Sequence, residues 1–252
     1  MPFPIKKLSL GLSALTCLLM LMLSEASAVV IRHDKADADM LRLAVRFGAA
    51  GRVLPDGGCT LIAPTWVVTA AHVAASLVPG SQVQFGERKY AVKRTVLHPE
   101  GTSPRGVPPE VDLALVELAE PVMEVKPAEL YRGRKEKGQT AFLVGYGDYG
   151  TPRAPLDHSD GRRRAVANVV SDAGPRRIFM RFDEPPDTHQ YEGVGGPGDS
   201  GGPAFLEEGG TLFIAGVSSA SMGGKPGQYG ITDVYTRISS YVEWIDDTMK
   251  TR

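Results

Sequence analysis

The chain has 252 residues, 42% hydrophobic and 23% charged, with 28 basic against 29 acidic side chains. That near-neutral balance excludes a strongly cationic nucleic-acid binder and, with ordinary apolar content, a disordered chain. Two cysteines exclude a disulfide-built mini-protein and a four-cysteine zinc site, and 29 Gly and 19 Pro without a period point to many turns rather than to collagen or low complexity.

The first segment reads as an export leader. Lys6 and Lys7 precede an apolar run from Leu8 to Leu23, and Ala26-Ser27-Ala28 supplies the small residues of a cleavage site. The run is shorter than the roughly 20 residues a membrane-spanning helix needs, so cleavage after Ala28 is expected rather than anchoring. Cys17 is lost with the leader, which leaves Cys59 as the only thiol. Residues 29–252 are then one exported unit, periplasmic or extracellular, with no further membrane segment.

Beyond Ala28 most patterns have a period of two. Leu41, Leu43, Val45 and Phe47 alternate with Arg42, Ala44 and Arg46, which predicts a half-buried strand, and Val83 and Phe85 alternate with glutamines. Short apolar runs at Leu61-Ile62, Val67-Val68, Leu113 to Leu118, Phe142 to Val144, Ile178 to Phe182 and Leu212 to Val217 are mostly bounded by turn residues. Loops are expected over Gly101 to Pro109 and over Tyr149 to Arg164, whose terminal Arg162-Arg163-Arg164 reads as solvated. The charged Arg132 to Gly138 stretch would join two halves. A C-terminal helix is expected from Tyr241, Trp244, Ile245 and Met249 on one face, with Ser240 and Glu243 at capping-box spacing. Many strands and one late helix predict an all-β barrel or sandwich.

Three segments carry chemistry. Gly196-Pro197-Gly198-Asp199-Ser200-Gly201-Gly202-Pro203 sets a serine among residues that allow tight turns and close backbone approach. A serine hydroxyl needs an adjacent base and N–H groups aimed at the developing oxyanion. Thr60 to His72 is an apolar, strand-like segment that delivers one His after two alanines. Asp112 heads the apolar Leu113 to Leu118 run, where burial without a partner would be costly. Alone, each has a bland reading: a glycine hairpin, a core histidine, an exposed strand-end carboxylate.

Together, in the order His, Asp, Ser, they resemble the trypsin/chymotrypsin-like serine protease family. Gly145-Tyr146-Gly147, Gly216-Val217-Ser218-Ser219, Asp233-Val234-Tyr235-Thr236-Arg237 and Tyr241-Val242-Glu243-Trp244-Ile245 extend the likeness over nearly the whole chain after the leader. Gly198 to Gly202 also satisfies the Gly-x-Ser-x-Gly elbow of α/β-hydrolases, but those place a His after the Ser, and no His follows residue 200.

The resemblance implies two six-stranded antiparallel barrels, about 29–130 and 135–237, a helix over about 239–250, and an active site in the cleft. It implies a triad of His72, Asp112 and Ser200, an oxyanion hole from the Gly198 and Ser200 N–H groups, and serine endopeptidase activity without a cofactor or metal. It places Val194 at the floor of the specificity pocket, where trypsin-like members carry Asp, and Ser219 to Ser221 along one wall. Asp233 also falls on that pocket and could receive a Lys or Arg side chain. Val29, freshly exposed by leader cleavage, would insert and pair with Asp199, although Arg32 and His33 stand near where the family has two glycines. His98, before Pro99, matches a family turn and reads as structural. The expected partners of this monomer are protein or peptide substrates and protein inhibitors of proteases, with no nucleic acid. The competing classes are a non-catalytic binding module and an esterase on the same fold. The residue after His72 is Val73, and Gly196 stands where a pocket cysteine is usual, so the barrels would be held by packing alone with Cys59 a small buried hydrophobe.

Overall fold

The computed structural model describes residues 29–101, 111–157 and 159–251. The expected leader, all but the first residue of the Gly101 to Pro109 loop, and His158 lie outside them. Strand β1 (Val30–Ile31) is followed by helix α1 (Asp37–Ala44). Strands β2 (Ala50–Val53), β3 (Gly58–Ala63) and β4 (Trp66–Thr69) lead into the one-turn helix α2 (Ala71–Ala74). Then come β5 (Gln82–Phe85), β6 (Arg88–Leu97), β7 (Ala114–Leu118) and β8 (Glu129–Leu130). The second half holds β9 (Thr140–Gly145), β10 (Arg164–Ala173), β11 (Arg177–Arg181), β12 (Gly193–Val194), β13 (Pro203–Glu208), β14 (Thr211–Met222) and β15 (Thr232–Arg237), and ends in α3 (Val242–Lys250).

Two sheets close on themselves, as the likeness implies. The first runs β2-β3-β4-β7-β6-β5 and is shut by Arg52 opposite Gln84. The second runs β13-β9-β10-β11-β15-β14 and is shut by β13 pairing with β14. Short β8 adds to β14 in parallel, so the joining segment is stitched to the second barrel. One core cluster fills the first barrel with Leu61, Val67, Phe85, Tyr90 and Leu115 and continues between the barrels through Phe47, Phe205 and Ile245. A second cluster, including Leu143, Val166, Ile178 and Tyr235, fills the second barrel. Cys59 is fully buried in the first core, and burial pushes its thiol up.

Four expectations change. Leu41 to Phe47 is not a strand: α1 covers most of it, because Met40, Leu43, Ala44 and Phe47 recur at helical spacing and are all buried, while Val45 is left exposed. Asp39 supports the helix start by accepting from the Ala36 N–H at 3.1 Å. The segment at residues 29–31, expected to open the first barrel, pairs through β1 with β12, since Val29, Val30 and Ile31 bury against apolar residues of the second half. Ser240 does not cap α3; its hydroxyl donates to the Pro175 carbonyl. The predicted apolar face of α3 does pack on the core through Tyr241, Trp244, Ile245 and Met249.

Arg164, read as solvated, is completely buried at the start of β10. Its guanidinium pairs with Asp37 at 2.5 Å and Asp160 at 2.7 Å and lies 3.3 Å above the Tyr149 ring, tying α1 to the loop before β10.

Within the charged 132–138 stretch, Glu136 is also buried. It accepts from Arg237 at 2.8 and 2.6 Å and from Ser239 at 2.8 Å. Burial pushes its carboxyl up, but those donors outweigh it and hold the group below the usual glutamate range. Removing one partner of such a pair strands the other charge. Glu136→Ala is therefore expected to lower the unfolding free energy by about 3–5 kcal/mol, read as a lower urea midpoint. An unchanged midpoint would contradict the assignment.

Candidate active site

Strand β4 delivers His72. Thr69 ends the strand with its hydroxyl donating to the Gly58 carbonyl at 2.7 Å, and Ala70 and Ala71 are small enough to be buried there. The chain then turns into α2, with His72 in its first turn and its side chain 40% exposed. The Nδ1 atom of His72 lies 2.7 Å from Asp112 Oδ2, and the His72 backbone N–H donates to Oδ1 at 3.0 Å. Asp112 therefore fixes both the ring and the backbone of His72.

Asp112 is 3% exposed at the entrance to β7. It also accepts from the Ser219 hydroxyl at 2.7 Å, and its carbonyl accepts from Thr236 at 2.9 Å. Burial pushes the carboxyl up, but the bonds from His72 and Ser219 prevail and keep it below the usual aspartate range. Ser219 was expected on the pocket wall. A bulge between Ser218 and Ala220 breaks the β14–β15 register and accompanies its hydroxyl's turn to Asp112 instead. Ser219 and Thr236 lie in the segments that carry the family likeness, but nothing in their spacing announced a carboxylate partner.

Ser200 sits on the turn between β12 and β13. Its carbonyl accepts from the Gly58 N–H of the first barrel at 2.7 Å. Gly201 holds a positive φ of 82°, and a Cβ there would collide with the Thr69 hydroxyl and the Gly58 carbonyl, so only glycine lets the barrels approach. The N–H groups of Asp199, Gly201 and Gly202 donate to Gly196, Ser218 and Asp199 carbonyls. Ser200, Gly198 and His72 line one cavity of about 270 Å³, with Asp56, Gly57, Val73 and Ser76.

A neighbouring cavity of about 240 Å³ shares Gly198 and Ser200 and is lined further by Ser218, Ala220, Ser221 and Asp233. Asp233 is 2% exposed; it accepts from the Gly195 N–H at 2.6 Å and the Ser221 hydroxyl at 2.7 Å, and burial pushes its carboxyl up to about 6. Val194 is not the floor of this cavity. Its pairing in β12 turns it into an apolar cluster with Val30, Phe182 and Ile231.

Asp199, beside Ser200, is 3% exposed and accepts from the Gly147 and Gly196 N–H groups at 3.2 and 2.9 Å. Burial raises its carboxyl well above the aspartate range. A Cβ on Gly145 would overlap that carboxylate, which accounts for the glycine. Val29 is 1% exposed. Arg32 and His33 anchor this segment: Arg32 bonds Asp34, Thr188 and the His189 carbonyl, and His33 bonds the Tyr229 hydroxyl. The His98 ring packs against Tyr241 and Trp244. Among the described residues no cluster of three or more His, Cys, Asp or Glu could hold a metal, and no helix is long and apolar enough to cross a membrane.

The family model described as Trypsin matches residues 48–245. The chain belongs to the trypsin family. It is 30% identical over 206 residues to Trypsin 5G1 of Aedes aegypti, covering 75% of this chain and 74% of that protein. Kallikrein-15 of Homo sapiens is 29% identical over 223 residues, 77% of this chain and 81% of the relative. A solved structure of neuropsin, a serine protease expressed in the limbic system of mouse brain, shares the fold at a TM-score of 0.67 and 18% identity, covering 83% of this chain and 98% of the other. As a trypsin-family member the chain is a serine-type endopeptidase and acts on protein or peptide substrates.

Proposed function

We propose that this trypsin-family endopeptidase works through an acyl-enzyme on Ser200, with His72 as base and Asp112 as its orienting carboxylate. The observation that carries this reading is the His72–Asp112 pair on the rim of a cavity that Ser200 also lines. Ser200 Oγ attacks the scissile carbonyl while His72 takes its proton and returns it to the leaving amine. Asp112 accepts from Nδ1–H, selects the tautomer with Nε2 free, and stabilises the imidazolium. With the neighbouring N–H groups engaged internally, those of Gly198 and Ser200 serve the oxyanion, a contribution of about 3 kcal/mol each. A serine-directed fluorophosphonate should label the processed protein. Ser200→Ala should abolish the label and lower peptide turnover by at least ~10⁴-fold. A processed protein that takes no label is a binding module, and ester turnover without amide turnover marks an esterase.

The same reading gives Asp233 the choice of substrate: ionised, it receives a Lys or Arg side chain before the scissile bond. Its raised pKa sets the sign. Below about 6 the carboxyl is neutral, and above it the pocket is anionic and basic selectivity is present. The ratio of kcat/KM for an Arg substrate to that for a Leu substrate should rise as pH passes through about 6. A flat ratio, or one unaltered in Asp233→Ser, would remove Asp233 from specificity.

Export by the leader then also activates. Cleavage after Ala28 frees the Val29 ammonium, which pairs with Asp199. The burial of both residues and the docking of β1 on β12 support this. The Arg32 and His33 anchors do the holding for which the family's glycines leave no side chain. The pairing raises the α-amino pKa above its ordinary value, so the inserted state is present at lower pH and lost as pH rises through the raised pKa. Sequencing of the active exported protein should begin at Val29, and Asp199→Asn should cost about 100-fold in kcat/KM. An active form that keeps residues before Val29 would overturn this route.

A further inference from the structure

We propose that Arg164 is a positioning residue for peptide cleavage: its buried guanidinium holds the stretch from Gly147 to Gly150 where the Gly147 N–H fixes Asp199, and with it the Gly198 and Ser200 N–H groups. This rests on the acyl-enzyme reading above. Asp199 stands between Gly198 and Ser200, so the anchoring of its side chain sets where their N–H groups point. One carboxylate oxygen accepts from Gly147 at 3.2 Å and the other from Gly196 at 2.9 Å. A shift of the 147–150 stretch lengthens the first bond and frees the carboxylate to swing. Arg164 stands opposite Gly145 in the β9–β10 ladder, and Gly145 lies directly against that carboxylate.

The side chain of Arg164 grips the same stretch from the other end. Its guanidinium lies 3.3 Å above the Tyr149 ring, and Tyr149 exchanges backbone bonds with Asp157 at 3.0 and 2.8 Å. The next residue, Gly150, accepts from the Ile31 N–H at 3.0 Å. Both edges of the guanidinium are forked. Nε and Nη2 donate to Asp37 at 2.5 and 3.2 Å, and Nη1 and Nη2 donate to Asp160 at 2.7 and 3.0 Å. Asp37 opens α1, so one cation clasps the chain that follows β1 to the chain on either side of Asp157. Arg164 holds the Asp160 carboxyl down to about 2, so this clasp stays charged at any pH where a neutral His72 serves as base. A completely buried cation is a poor device for stability alone, since apolar side chains of similar volume often serve as well. What the guanidinium adds is direction: a planar fork fixes two carboxylates and a stacked ring in one mutual orientation.

A matched pair of inhibitors separates positioning from folding. A peptide aldehyde, ending in Arg or Leu as the wild type prefers, takes Ser200 Oγ onto its carbonyl carbon while the serine proton passes to His72, and its oxygen then needs the Gly198 and Ser200 N–H groups. The peptide alcohol of the same sequence fills the cleft without forming that adduct. Arg164→Lys keeps the charge without the fork, Asp160→Asn removes one carboxylate, and Tyr149→Leu removes the ring. Each, at a temperature where urea unfolding shows it folded, should bind the aldehyde about tenfold less tightly and lose about as much in kcat, with the alcohol's affinity within about twofold of wild type. Tyr149→Phe keeps the ring and should restore the wild-type values. Aldehyde affinity kept in all three variants, or lost in equal measure with that of the alcohol, overturns the positioning role and leaves the acyl-enzyme reading standing. A wild type that takes neither the aldehyde nor the fluorophosphonate overturns the acyl-enzyme reading and this proposal with it, and is recognised before any variant is made.

Discussion

A carboxylate removed from water needs donors, and Asp112 takes them from both barrels. His72 approaches from the first, with its ring and its backbone N–H, while the Ser219 hydroxyl approaches from the second, where Thr236 also donates to the Asp112 backbone carbonyl. Losing either side would leave a buried acceptor short of partners, at a cost of about 1–3 kcal/mol or more for a charged group. The orientation of the imidazole is thereby tied to the way the barrels are docked. The Gly58–Ser200 backbone bond adds a second tie a short distance away, so His72 and Ser200 are both referred to the same interface.

Much of the fold is legible in the sequence. The strands around His72, Asp112 and Ser200 announce themselves because apolar runs between turn residues have few other folded forms, and the order of the three segments selects one architecture. The failures have physical causes. Leu41 to Phe47 satisfies a period of two as well as one near 3.6, and only the packing of Met40 and Phe47 on neighbouring elements decides for the helix. Val194 and Ser219 were placed by likeness, but the side to which a strand residue points depends on pairing and bulges, which the sequence does not print. Arg164 and Glu136 look like solvated charges in polar stretches because their partners lie far away in sequence, at Asp37 and Arg237.

The second barrel carries an electrostatic tension of its own. Asp199 and Asp233 are both nearly without solvent, burial raises the proton affinity of each, and the Asp233 charge raises that of Asp199 further. Each is surrounded by N–H or O–H donors, which lessen but do not cancel the cost of burial. Two such carboxyls flanking the Ser200 turn contribute little to stability, because burial opposes their charged forms.

An enzyme that reads extended polypeptide faces a hazard from its own kind, since any copy is a potential meal for another. Closure of both sheets answers it. A strand bonded on both sides cannot be drawn out into a cleft without first losing its ladder, and neither barrel offers a long free edge on which a neighbouring chain could begin to unravel. Arg164, at the start of β10, is sealed inside, while Arg162 just before it is exposed and Arg153 pairs with Glu184 at the surface. Among the described residues Cys59 is the one cysteine and it is buried, so the two barrels hold together by hydrogen-bond topology and core packing without a disulfide.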